Sequence, residues 1–159
     1  MQSERTKLLT TDAKVFEALP GGLELIEWFG FVPSFHDATL ASLEIVSSSA
    51  TLRIAAFRMT RDVDEKGFFV TDRHTLVTIN FSGVSGVSLV GAAESIFGEI
   101  CIRRLTEDAE NAHEWANSVG PKAGDYEVSW GASYGLCGAV FARYIELSQA
   151  PLEPLPILP

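Results

Sequence analysis

Thr39-Leu40-Ala41-Ser42-Leu43-Glu44-Ile45-Val46, then Ser47-Ser48-Ser49, then Ala50-Thr51-Leu52-Arg53-Ile54-Ala55-Ala56, is the stretch that decides the fold class of this chain. In the first run Leu40 opposes Leu43 and Ile45. In the second, Leu52, Ile54 and Ala56 alternate with Thr51, Arg53 and Ala55. A period of two puts successive side chains on opposite faces of an extended strand. Two such runs around a short polar turn predict a β-hairpin.

Downstream the same period recurs. The polar stretch Arg61–Lys66, ending at Gly67, predicts an exposed loop. Phe68–Val70 leads into Thr75–Phe81, where Thr75, Val77, Ile79 and Phe81 share a face; a turn is expected at Gly83/Gly86, before Val87–Val90. Ile96–Leu105 predicts a further strand, with Ile100 and Ile102 pointing the same way. Asp125–Trp130 predicts another, Gly131–Gly138 a bend or bulge, and Ala139–Leu147 a last strand with Phe141, Ile145 and Leu147 on one face.

Helical spacing appears in two places. Upstream, Val15, Phe16 and Leu19 precede a Pro20-Gly21-Gly22 break, and GLELIEWFG then sets Leu23, Leu25, Ile26 and Phe29 at helix-compatible intervals, with Glu24 and Glu27 facing water. Gly30 and Pro33 predict its end. Thr106–Val119 reads as a second helix, capped by Thr106 and with Glu107 and Asp108 at the positive end of its dipole. Hairpin-forming strands with one or two short helices imply an α+β, mainly antiparallel β sheet of meander or hairpin type, because parallel strands require long crossovers. No repeat or linker divides the chain. Residues 1–150 read as one domain, and Pro151–Pro159, with four of the seven prolines, as an extended tail.

The composition narrows the function. Hydrophobic residues make up 47% and charged residues 21%, which is ordinary for a packed domain. Twelve Lys and Arg against 21 Asp and Glu give a net charge of −9, so the body repels nucleic-acid phosphates. The same charge either keeps the domain in solution or attracts a basic protein partner. Cys101 and Cys137 lie in apolar settings outside any zinc-ligand spacing, and both are expected to be buried thiols, with a single disulfide as the alternative. With no secretory leader pattern at the start and no apolar run of about 20 residues, the expected compartment is the cytoplasm, away from membranes.

The sequence offers few catalytic candidates, and no cofactor or metal is expected. Trp28-Phe29-Gly30-Phe31-Val32-Pro33-Ser34-Phe35-His36-Asp37-Ala38 concentrates aromatic rings and an imidazole at a helix-to-strand junction. His36 and Asp37 could serve as an acid/base pair, line a small-ligand or accessory enzyme pocket, or contact a partner. Alternatively Trp28, Phe31 and Phe35 plug the core while Asp37 holds backbone N–H groups. Adjacent strand residues point apart, which weighs against joint action on one atom. The His-Asp pair has no helical His and Asp companions of the kind that HD phosphohydrolases use for metal, since His74 and His113 sit in unrelated contexts. Gly83-Val84-Ser85-Gly86-Val87 lacks the last glycine of a nucleophile elbow and lies between strands. Asp62, Asp64 and Glu65 lack the order of a calcium loop. They read as a solvated loop or as an acidic rim that speeds association with a basic partner.

The junction and its sequel resemble the immunity protein 50 family over residues 23–90. The resemblance rests on Trp28-Phe29-Gly30, on Pro33-Ser34-Phe35-His36-Asp37-Ala38, on Met59-Thr60 with Asp62-Val63-Asp64-Glu65-Lys66-Gly67-Phe68, and on Thr75–Phe81. Val32 stands where an aromatic is expected, and Thr39 where an acidic residue is common. The resemblance implies a bacterial protein that binds and blocks a cognate toxin domain without chemistry of its own. It also implies that Trp28, Pro33, Phe35, His36 and Asp37 are signature positions. A structural subunit whose hairpins pair into a homodimer, with the apolar tail Leu152, Leu155, Ile157 and Leu158 as an arm, is the remaining alternative.

Overall fold

The computed structural model describes residues 10–107 and 120–152. Helix α1 (Ala13–Ala18) starts at Asp12, whose carboxylate accepts hydrogen bonds from the backbone N–H groups of Lys14 and Val15 at 3.0 and 3.3 Å. After the Pro20-Gly21 break, helix α2 (Gly22–Phe29) runs to Gly30, which closes it in the left-handed conformation. Phe16 from α1 and Leu25 and Phe29 from α2 are fully buried and Glu24 and Glu27 face water as their spacing predicts, but Leu23, in the first turn of α2, is exposed instead of joining the apolar face.

Six strands follow: β1 (Thr39–Val46), β2 (Ser49–Val63), β3 (Phe69–Val90), β4 (Ile96–Arg104), β5 (Tyr126–Tyr134) and β6 (Cys137–Ala150). Every neighbouring pair is antiparallel, and the order β1-β2-β3-β6-β5-β4 closes into a barrel. Two three-stranded meanders therefore stand side by side, joined between β3 and β6 and closed between β1 and β4. Register decides what fills the interior. Leu52 pairs with Ile79 and Ile54 with Val77, and Ile79 and Phe81 in turn oppose Leu147 and Ile145. All of these side chains are buried.

The seam between β1 and β4 is thin. It contains one paired position, Thr39 with Ile96. The backbone of the preceding segment satisfies the rest of the β4 edge: Asp37 N–H donates to the Phe97 carbonyl, Ile100 N–H to Ser34, and Asp12 N–H to Ile102, each at 2.9 Å. Thr11 Oγ1 accepts from Ile102 N–H at 3.0 Å. Without these bonds a row of strand-edge groups would be orphaned. The helices are tied to the same wall, because Leu147 N–H donates to the Pro20 carbonyl at 2.8 Å.

Several expectations need correction. The Gly83/Gly86 turn is absent. β3 runs unbroken from Phe69 to Val90, and the glycines flank a register shift between Val84 and Gly86 where β3 pairs with β6, so they mark a bulge. The same irregularity changes the facing of β6: Val140 and Ala142 are buried together with Ile145 and Leu147, and Phe141 does not join them. The exposed loop from Arg61 is shorter than expected, because β2 continues to Val63. Gly131 lies within β5, and the bend narrows to a tight hairpin at Gly135-Leu136. The helix expected over Thr106–Val119 lies, from position 108, outside the described residues, as does the tail after Leu152.

Cys101 is buried as expected, but Cys137 is exposed at the start of β6, with Sγ 3.3 Å from the Ala132 N–H; neither thiol is in a disulfide. Burial, and then the nearby Glu127 carboxylate, push the Cys101 thiol above its usual range. Since the thiolate is the reactive form, alkylation of the native protein should label one cysteine, Cys137, and denaturation should expose the second. Mass spectrometry of labelled peptides checks this, and equal labelling of Cys101 in the native state would contradict the burial.

Candidate functional site

The junction residues fold into a short, twisted connection in place of a strand. Phe35 and Asp37 both have positive φ, 58° and 64°, and His36-Asp37 forms a turn. This overturns the expectation that His36 and Asp37 point apart. With the backbone in the left-handed region, the two side chains come together, His36 Nδ1 lying 3.1 Å from Asp37 Oδ2. Both are about half exposed. Phe35 is buried against Phe29 in an edge-to-face contact at 6.1 Å, so it does plug the core. Trp28 does so only in part, and Phe31 is half exposed, contrary to the expected core plug.

Beside this turn lies an open groove of about 260 Å³, walled by Phe31, Pro33, Phe35, Phe57 and Met59, with His36 at its edge. Asp37 does not line it. The groove is therefore mainly apolar, and it offers no convergence of polar groups on one reacting atom. Among the described residues, no three His, Cys, Asp or Glu side chains lie close enough to hold a metal ion.

Phe57 and Met59 belong to a feature that pattern reading missed. β1 pairs with β2 only as far as Ala55, and β6 pairs with β3 only as far as Leu76. Beyond those positions β2 and β3 continue as a two-stranded arm with no third strand on either side among the described residues. Such ribbons are marginal alone, and side chains brace this one. Arg58 makes a bidentate pair with Asp72, with contacts of 2.8 and 2.6 Å, and Thr60 Oγ1 donates to the Val70 carbonyl at 2.7 Å. At the tip, Asp64 Oδ1 accepts from the Lys66 and Phe68 N–H groups at 2.9 and 3.0 Å. Asp64 thus shapes the turn, whereas Asp62 and Glu65 are exposed around it.

The arm displays Met59, Val63, Phe68, Phe69 and Val70 to solvent, with Phe68 67% and Phe69 56% exposed. Single exposed apolar residues are normal, but five along one arm, continuous with an aromatic groove, are not. The signal was present in the sequence. Phe68-Phe69-Val70 is an unbroken apolar run next to a turn, so no single buried face can hold all three.

The Arg58–Asp72 pair carries a pH signature. The hydrogen bond from Arg58 holds the Asp72 carboxyl below its ordinary range, and Asp72 raises Arg58 in return. A depressed carboxyl stabilises the fold above its unfolded pKa of about 4, and the effect is lost as pH falls through the folded value. Asp72→Asn should therefore be less stable than the parent at about pH 6, and the two urea midpoints should converge under strongly acid conditions. A gap that persists in acid would show that Asp72 acts by shape alone.

No helix among the described residues is long and apolar enough to cross a membrane. Comparison of the chain with protein-family models, with curated proteins and with solved structures finds no match.

Proposed function

We propose that this protein is a non-catalytic binding domain that neutralises a cognate bacterial toxin domain in the cytoplasm, with the β2–β3 arm and the adjoining aromatic groove as the contact. The observation that carries the reading is the exposure of Met59, Val63, Phe68, Phe69 and Val70 along a braced arm. Aromatic and Met side chains around a shallow groove are the usual anchors of protein interfaces. The resemblance of residues 23–90 to immunity protein 50 supplies the kind of partner.

Charge selects among occupants. A second copy would bring another body of net charge −9, whereas a basic partner is drawn to the acidic chain as a whole. Many toxin nucleases carry basic clefts, which makes an acidic inhibitor electrostatically suited to them. An accessory-enzyme role for His36 and Asp37 has weaker support, since the groove reaches only His36.

The test is co-purification with the product of the adjacent gene, combined with rescue of cells that express it. One-to-one binding that weakens with salt, together with rescue, supports the proposal. A dimer of this chain that binds nothing else would instead favour pairing of two arms, and neither binding nor rescue would remove the toxin reading.

A further inference from the structure

We propose that the groove beside the arm receives an extended segment of the partner, which adds to the open edge of β2 as a further strand. The inference rests on the binding role above and specifies how that contact is made. The chain leading into β1 is what opens the edge. β1 runs antiparallel to β2 and pairs with it as far as Thr39 with Ala55. Continued backwards, the residues before Thr39 would lie beside Phe57 and Met59. They turn aside at Phe35 and Asp37, both with positive φ, and bond to β4 instead, through Asp37 N–H to Phe97 and Ile100 N–H to Ser34. The groove of about 260 Å³ lies where they part, with Pro33 and Phe35 on one side and Phe57 and Met59 on the other.

The phase of the β2 backbone says what this gap can hold. The two-residue turn Ser47-Ser48 joins Val46 to Ser49, and residues flanking such a turn exchange both backbone hydrogen bonds. Ser49 therefore points its N–H and C=O toward β1, and every second residue of β2 after it does the same. The register shift between Ala56 and Arg58 sets Arg73 and His74 against Phe57, so the extra residue is in β3 and the phase of β2 carries through. Phe57 and Met59 then direct their N–H and C=O groups toward the groove. Among the described residues, no backbone group outside β3 meets them.

An edge with free backbone groups is a template for another strand, and proteins usually blunt it with a lysine, a proline or a bulge. The stretch from Ala55 to Thr60 contains no lysine or proline, and its one charge, Arg58, is taken by Asp72. The groove is smaller than the usual small-molecule site and mainly apolar, which suits one or two side chains of a larger chain. The occupant is accordingly an extended segment with aliphatic residues at alternate positions.

The experiment follows the amide signals of the isotope-labelled full chain by NMR during titration with acetyl-Thr-Val-Thr-Leu-Thr-Lys-amide. Two twins of this peptide are titrated separately, one N-methylated on its Val and Leu, the other on its Thr residues. The parent should bind saturably and shift the Phe57 and Met59 amides most. One twin, having lost its pairing N–H groups, should bind at least about tenfold more weakly than the other. Met59→Pro, which removes an outward N–H, should weaken the parent peptide by about tenfold, and Met59→Ala should weaken it less. If the proline variant does not fold, the methylated twins carry the same comparison. No saturable binding, equal affinity of the twins, or shifts centred away from β2 would overturn the strand mode, as would a β2 edge already paired with a second copy. Toxin rescue tests the binding role separately: rescue without peptide pairing keeps that role and removes this mode.

Discussion

Phe69→Asp should weaken binding of the partner by about a hundredfold or more, while the urea midpoint stays close to that of the parent chain. The reason is location. Phe69 is mostly exposed at the base of the arm's turn, so an aspartate there costs the free protein little, within about 0.5 kcal/mol for a surface change. In the complex the same site would be desolvated, and the loss of an aromatic anchor together with burial of a charge is worth about 3 kcal/mol or more. Val46→Asp is the matched control. Val46 is 72% exposed, at the opposite end of β2 from the arm, and its replacement should leave affinity unchanged. Calorimetry on the purified pair decides between them. Equal losses from both variants would point to a general charge effect, and a loss from Val46→Asp alone would move the contact to the other end of the barrel.

The second large effect concerns how the helices sit on the barrel. Gly21→Ala should destabilise the protein by more than about 3 kcal/mol, and Gly67→Ala by only about 1 kcal/mol. Both glycines are left-handed, with φ of 84° and 86°. They differ in what a methyl group would meet. At Gly67 nothing lies within 4 Å, so the cost is the backbone conformation alone. At Gly21 a Cβ would fall 1.8 Å from the Leu147 carbonyl oxygen, a contact relieved only by lifting the α1–α2 joint off β6. That displacement would also stretch the bond from Leu147 N–H to the Pro20 carbonyl. Paired urea titrations test the difference, and similar midpoints for the two variants would mean that the joint shifts freely.

What the sequence makes legible follows from which interactions are local. Leu52, Ile54 and Ala56 alternate because one face of β2 is buried along that length, and the period survives in the residues. The short helices announce themselves through spacing, a cap and two breaks. Barrel closure does not, because it depends on one distant pair, Thr39 with Ile96, and on backbone bonds to which no side-chain pattern corresponds. Gly83 and Gly86 mislead for a related reason: a bulge and a turn ask the same thing of a glycine, and the long partner strand that separates the two cases comes some 50 residues later in the chain. At the candidate site, the aromatic cluster around Phe35 was visible. The closeness of His36 to Asp37 was not, because two non-glycine residues with positive φ cannot be read from alternation.

The arm's two strands are also the strands that carry Leu52, Ile54, Val77 and Ile79 through the centre of the barrel. A force applied at the tip is therefore delivered along continuous backbone into the interior, with the Arg58–Asp72 clamp at the point where the ribbon leaves the wall. The molecule behaves as a lever with its fulcrum in the core. On the proposed binding role, load from a partner at the tip would reach the barrel interior through these two strands, past the register shifts at Ala56/Arg58 and Met59/Val63.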